Sequence, residues 1–346
     1  MLEQELASTN LLFKEGVNGS YEFIHDTWRQ FFTAKYWARE LNEGRITHKD
    51  LHKQLTYRLQ PFYAERYYHL YWLYDVTRFL FDSIENIDQS IVDIGNTLID
   101  RAMLYVKMHS LEQRLRQETL DFLASKVEQK CLGLTNFCRK SRKKNTDWMP
   151  REILYDEWQG YFKYLSVLAS KRATEVLANY LLHPVEGVGT GEPLYALGKI
   201  NNKLAVEGIR QYLSLTMVKD DVLELLGEMG TKDSLKVVAE YFQDDRKFFP
   251  LEMIRDKFPD FEEEECYEML EDNYKINHAS WKKIAFSQLE SKLGSGLFQQ
   301  LIRNSADLVD YIENSDLPEV KPKPRKNLGN FEAFMEEVSQ DHFPII

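Results

Sequence analysis

Histidine, cysteine and carboxylate side chains are the groups with which a chain could ligate a metal, attack a substrate or move a proton, and their spacing here supports none of these. The eight histidines are scattered without ligand spacing, and no H-E-x-x-H segment occurs that would set two imidazoles on one helix face. Cys131 and Cys138 have six residues between them, with no histidine at ligand spacing nearby, and Cys266 stands far from both. An odd number of cysteines with no C-x-x-C pair reads as reduced thiols. There is no G-x-S-x-G elbow to expose a serine, and no G-x-x-x-x-G-K-[ST] loop to cradle phosphates. The nearest imitation, Gly187-Val188-Gly189-Thr190-Gly191-Glu192-Pro193, has Glu and Pro where the Lys and the helix start belong, so it reads as a loop. No enzyme, no metal and no cofactor of the chain's own are expected.

Binding chemistry is the better prospect. Arg139-Lys140-Ser141-Arg142-Lys143-Lys144 sets five cations in six residues, but one short run neutralises few phosphates. With a formal charge of -11 over 346 residues, nucleic acid is disfavoured as a partner, and the run reads as a solvated loop near a domain boundary. Nine aromatics fall between Pro61 and Phe81, a density that could stack bases, yet only Arg66 and Arg78 accompany them. Packing between helices accounts for them better. Glu262-Glu263-Glu264-Glu265 reads as an acidic first turn that complements a helix dipole. No apolar run approaches the roughly 18 residues of a membrane span, and the N-terminus is acidic where a secretory leader is basic. A cytoplasmic protein with no membrane partner is the expectation.

The elements that must carry any site are helices. Sixteen glycines and ten prolines are few for this length and disfavour a turn-rich β fold, while 43% apolar and 29% charged residues fit a globular chain. The one β signal is Leu11–Lys14 and Tyr21–Ile24 around Asn18-Gly19, a hairpin turn pair. Thr27 and Gln30 then have the spacing of a capping box, and Trp28, Phe31, Ala34, Ala38 and Leu41 form one helical stripe. Ile84–His109 and Ser110–Leu132 read as two further helices.

The segment Tyr21-Glu22-Phe23-Ile24-His25-Asp26-Thr27-Trp28-Arg29-Gln30-Phe31-Phe32-Thr33-Ala34-Lys35-Tyr36 resembles the motif that closes the winged helix of NACHT-type STAND ATPases. Arg29-Gln30 replaces the usual Gln-Glu, and Thr33 replaces the first Ala. The resemblance covers about 30 residues and implies that helical domains and a repeat sensor follow. It also implies that His25 contacts the β-phosphate of ADP if an NTPase domain is present; otherwise His25 bonds a neighbouring backbone group. Lacking a phosphate loop, the chain then corresponds to the C-terminal portion of such a protein, working with an ATPase in cis or as a separate chain. A severed winged helix leaves an apolar face around Trp28 and Phe31, which should find a partner.

Further along, Leu197-Gly198-Lys199-Ile200 aligns with Leu226-Gly227-Glu228-Met229, and Ala205–Leu213 with Ser234–Phe242, at a constant offset of 29 (227 minus 198, 234 minus 205). Ala173–Leu181 lies 32 residues before Ala205–Leu213. Three copies at near-constant period predict stacked helix pairs, each first helix ending at Gly198 or Gly227 in a left-handed cap. The pattern resembles short HEAT repeats, including those of bacterial sensor regions and bilin-lyase-type proteins.

After a helical stretch, Leu317–Lys326 is proline-rich and reads as an extended tether. Phe331, Phe334, Met335 and Val338 follow at i, i+3, i+4 and i+7, a docking-helix pattern whose alternative is to fold back on the repeats. The expected fold is all-α: a helical bundle leading into a HEAT-like α-solenoid, with a short β-hairpin as winged-helix remnant at the start. The expected divisions are 1–44 winged-helix remnant, 45–148 helical domain, 149–247 repeats, 248–315 helical cap, and 316–346 tether and tail helix. The function to expect is a non-catalytic sensor or protein-interaction module of a STAND signalling or defence ATPase. Alternatives are a free-standing HEAT adaptor or a bilin-lyase-like protein.

Overall fold

A computed structural model describes residues 12–15, 20–23, 26–51, 66–143, 151–184, 189–216, 218–249, 251, 255–256, 259–303 and 307–320. The fold is all-α, with one two-stranded ribbon ahead of the helices among the described residues. None of their helices is long and apolar enough to cross a membrane. Two compact units divide between Lys126 and Val127.

In the first unit, β1 (Leu12–Glu15) pairs antiparallel with β2 (Ser20–Phe23), Leu12 opposite Phe23 and Glu15 opposite Ser20. Helix α1 (Asp26–Asn42) follows. It starts at Asp26, so Thr27 lies inside it, and the buried Gln30 leaves its Oε1 without a partner. The capping box expected at Thr27 is therefore not formed. Ala34 and Ala38 are buried on the inner face, and α1 packs against α2 (Arg66–Phe81), where Phe79 meets the Phe31 ring edge-to-face at 5.4 Å. Of the aromatic-rich segment, Tyr74 and Phe81 are core residues, as large rings at helical spacing should be.

The segment Ile84–His109, expected as one helix, is broken at Leu98, whose backbone (φ -146, ψ 87) ends α3 (Ile87–Thr97) and begins α4 (Ile99–His109). The physical reason is burial: two short amphipathic helices packed on each other hide Ile91, Ile94, Met103 and Val106, which one straight helix could not do. Asp88 ties this pair to the next helix, accepting from the Thr119 hydroxyl (2.6 Å) and the Arg116 N–H (2.9 Å). Burial alone would raise its carboxyl pKa, but these donors and the Arg116 charge hold it below the ordinary value.

Helix α5 (Gln117–Lys143) crosses from the first unit into the second. It carries Arg139–Lys143 in its last turns, so the basic run is helical up to Lys143 and not the loop expected. Cations suit that position, where the helix dipole is negative.

Three helix pairs then follow: α6 (Arg151–Leu168) with α7 (Lys171–Leu182), α8 (Gly191–Ile200) with α9 (Lys203–Leu215), and α10 (Asp220–Met229) with α11 (Lys232–Gln243). Each pair is joined in the same way. A left-handed residue comes first: Ala169 (φ 47), Asn201 (φ 50) or Gly230 (φ 64). A side-chain N-cap comes next: Ser170, Asn202 or Thr231, each accepting from the N–H three residues on. First helices stack on first helices (α6, α8, α10) and second on second (α7, α9, α11).

The left-handed cap expected at Gly198 and Gly227 falls three residues later, because both glycines lie inside α8 and α10. Their role is close approach. A Cβ on Gly198 would stand 2.6 Å from Leu225 Cδ1, and one on Gly227 would stand 2.7 Å from Gln288 Cβ. The segment read as a loop also turns helical at Gly191, with Pro193 in the first turn, where its missing N–H costs little.

The chain continues through a 3-10 turn (Asp245–Phe248) into α12 (Glu263–Leu293), which packs on α10 and α11. Glu262 and Glu265 form a capping box at its start, and Glu263–Glu265 fill the acidic first turn. Helices α13 (Ser295–Arg303) and α14 (Leu308–Glu313) close the described part. The tether is held at its beginning, since the Pro318 carbonyl accepts from the Lys232 N–H at 3.0 Å.

Candidate interaction surfaces

The outer face of α1 is built by period-four spacing. Trp28, Phe32 and Tyr36 recur at i, i+4 and i+8, opposite the buried Ala34 and Ala38. Trp28 is 44% and Tyr36 52% exposed, large values for rings of this size. The Trp28 and Phe32 rings lie 6.2 Å apart at 27°. Cations alternate with them: the Arg39 guanidinium sits 5.7 Å from the Tyr36 ring, and the Lys35 ammonium 5.6 Å from the Phe31 ring. Trp28 and Phe31, expected together as one partner surface, keep their rings in edge-to-face contact at 6.2 Å. Trp28 faces solvent, whereas Phe31 is half-buried and leans on Phe79. His25 lies outside the described residues, as do Phe331, Phe334, Met335, Val338 and Lys144.

On the helix pairs, the second helices carry a mixed-charge outer face. Arg172 reaches Glu128 at 2.5 Å and Glu175 at 3.5 Å, and Arg210 reaches Glu240 at 3.2 Å across adjacent pairs. Glu207 and Gln211 are exposed beside them on α9. On the first helices, Tyr195 of α8 stands 52% exposed. Adjacent pairs are also joined by buried polar contacts. The Asn202 amide donates to Thr174 Oγ1 (3.2 Å), and the Asn201 amide donates to the Met229 carbonyl (3.2 Å).

A buried polar cluster lies where the last pair meets α12. The Lys219 ammonium donates to the carbonyls of Leu213 (2.6 Å), Thr216 (3.0 Å) and Phe248 (2.7 Å), and lies 5.9 Å from the Trp281 ring. Burial lowers its pKa to about 8. Beside it, the buried Asp245 carboxylate pairs with His278 Nε2 and with Lys282 at 3.1 Å. Lys219 fastens the 3-10 turn to the end of α9 by satisfying open carbonyls of both, and Asp245 fastens the turn to α12 through His278 and Lys282. Sequence reasoning missed them because a lysine or aspartate between two periodic segments looks the same whether it is solvated or buried.

In the first unit, His48, Leu80, Phe81, Ser90, Ile94 and Tyr105 are among the residues that line a small cavity with room for about one water. The Tyr105 hydroxyl and His48 Nδ1 are buried there without a hydrogen-bond partner. Burial pushes the Tyr105 pKa up to about 12 and the His48 pKa down, the latter against the pull of Asp93. Among the described residues no group of three or more His, Cys, Asp or Glu could hold a metal ion, and Cys131 and Cys266 are buried. Compared with protein-family models, with curated proteins and with solved structures, the chain matches none of them.

Proposed function

We propose that the chain is a non-catalytic sensor and protein-interaction module of a STAND-type signalling or defence ATPase, acting through the surface of a HEAT-like solenoid. The observation that carries the reading is the repeated connection, a left-handed residue followed by a side-chain N-cap. It recurs from Ser170 to Asn202 to Thr231 at offsets of 32 and 29, with like helices stacked on like. Arrays of this kind extend one core through nearest-neighbour contacts and offer a long, regular face to a partner. The ATPase connection rests on the Tyr21–Tyr36 motif, and the order of ribbon, helix, helical region and repeats is consistent with it. In this reading His25 contacts nucleotide only when an NTPase domain, in the same chain or a separate one, is present. A free-standing HEAT adaptor is the competing reading.

Affinity purification of the C-terminally tagged protein from its own host, with mass spectrometry of bait and prey, separates the two. A co-purifying chain with a phosphate-binding loop, or bait peptides upstream of Met1, is the expected result. An intact 346-residue bait that brings down no ATPase would overturn the STAND reading in favour of the adaptor.

A further inference from the structure

The short helix α14 sits where the stack would place one more second helix. First helices stack on first and second on second from α6 to α11; α12 then packs on α10, and α14 packs on α11. The match is incomplete in length. The second helices α7, α9 and α11 have 12, 13 and 12 residues, whereas α14 has six. Its hold on the stack is correspondingly small. Two apolar side chains at i and i+4, Leu308 and Ile312, are buried. Polar contacts to α11 lie at the exposed rim: the Glu313 carboxylate pairs with the Lys236 ammonium, the Glu313 carbonyl accepts from Lys232 Nζ (3.4 Å), and the Asp307 carboxylate accepts from the Gln243 amide (3.2 Å). Exposed contacts of this kind set register more than they add strength. What fills the site on α11 therefore defines it: two apolar side chains four residues apart, with a carboxylate at each end of a helix. The same pattern on a helix as long as α7, α9 or α11 covers more of α11 than a six-residue occupant can, as the earlier second helices do for one another.

We propose that α14 is a placeholder on a helix-binding site of α11, displaced by a partner's longer helix whose apolar residues at i and i+4 are edged by carboxylates. Because α14 belongs to the same chain, it competes at the high effective concentration of an intramolecular contact. Weakly binding helices are thereby kept out, since a partner must first overcome the fraction of molecules in which the site is covered. This inference rests on the stack of helix pairs alone and not on the STAND reading.

The test compares the full chain with the same chain carrying Leu308→Asp and Ile312→Asp, which eject α14. The probe is a fluorescein-labelled peptide of residues 306–318 in the wild-type sequence, followed by anisotropy, while amide hydrogen exchange follows α10, α11 and residues 307–318. In the double variant residues 307–318 should lose protection while α10 and α11 keep theirs, and the peptide should bind at least about tenfold more tightly than to wild type. Adding Lys236→Glu to the double variant should weaken the peptide, and a peptide with Glu313→Lys should regain the loss. Loss of protection throughout α10 and α11 would make α14 an integral cap and overturn the proposal. Equal binding to the two chains, no binding to the double variant, or binding indifferent to the charge exchange would overturn it as well. None of these readings changes with whether an ATPase co-purifies, so the two proposals fail separately.

Discussion

At the scale of single residues, burial decides chemistry that residue type leaves open. The half-buried His109 has its ring packed between Tyr74 and Phe81, with Nε2 2.7 Å from Thr77 Oγ1. Burial first, then the Arg78 and Arg114 charges, depress its pKa from 6.5 to about 3. The unfolded chain takes up this proton as pH falls below 6.5 while the folded chain does not, so stability present above that value is lost progressively towards pH 3. At pH 5 the loss from this residue is about 2 kcal/mol. Urea titrations at pH 7.5 and 5.0 should show wild type losing about that much more than His109→Gln, and equal losses would refute the assignment. Asn202 offers a second case, because its side chain both caps α9 and donates to Thr174 of the preceding pair. Asn202→Ala should cost about 1–2 kcal/mol, and Asn202→Asp, which keeps the capping oxygen, should cost less. Denaturation midpoints of the two variants check the order.

At the scale of elements, the helix pairs are set by close approach as much as by hydrophobic periodicity. Gly198 admits Leu225 where any side chain would collide, and Gly208 admits Ala178, whose Cβ would stand 2.9 Å from an added Cβ. Gly198→Ala gains helix propensity of up to about 1 kcal/mol but overpacks a buried contact at about 1–3 kcal/mol, so a net loss is expected. Gly133→Ala on the open side of α5, where nothing lies within 4 Å, should be neutral or stabilising by up to about 1 kcal/mol. Thermal melts of the two variants should therefore shift in opposite directions. Had Gly198 been needed only as a helix cap, both substitutions would be judged by backbone conformation alone; its position inside α8 excludes that role.

At the scale of the molecule, two units share the long helix α5, and the second is built by repetition. Repetition places equivalent side chains in register along one face, which is where a partner of the proposed solenoid should bind. Reversing that face with Glu207→Lys and Gln211→Lys should reduce partner capture by about fivefold or more. The substitutions sit on exposed positions, so stability should stay within about 0.5 kcal/mol of wild type. Undiminished capture would move the binding face to the first helices, around Tyr195.

The helical class, the repeat offsets of 32 and 29 and the acidic start of α12 were legible in the sequence. Each is a local or periodic property, written in residues a few positions apart, or in one pattern copied along the chain. The ends and breaks of helices were less legible. The turn at Leu98, the helical course of Arg139–Lys143 and the caps at Asn201 and Gly230 depend on which surfaces fold back on each other. Only tertiary structure decided which charges are buried. Lys219 and Asp245 lie in segments that read as ordinary polar turns, and their partners are carbonyls or side chains brought from distant positions, such as Phe248 and His278. Desolvation is a property of the assembled neighbourhood, and no spacing within a single segment encodes it.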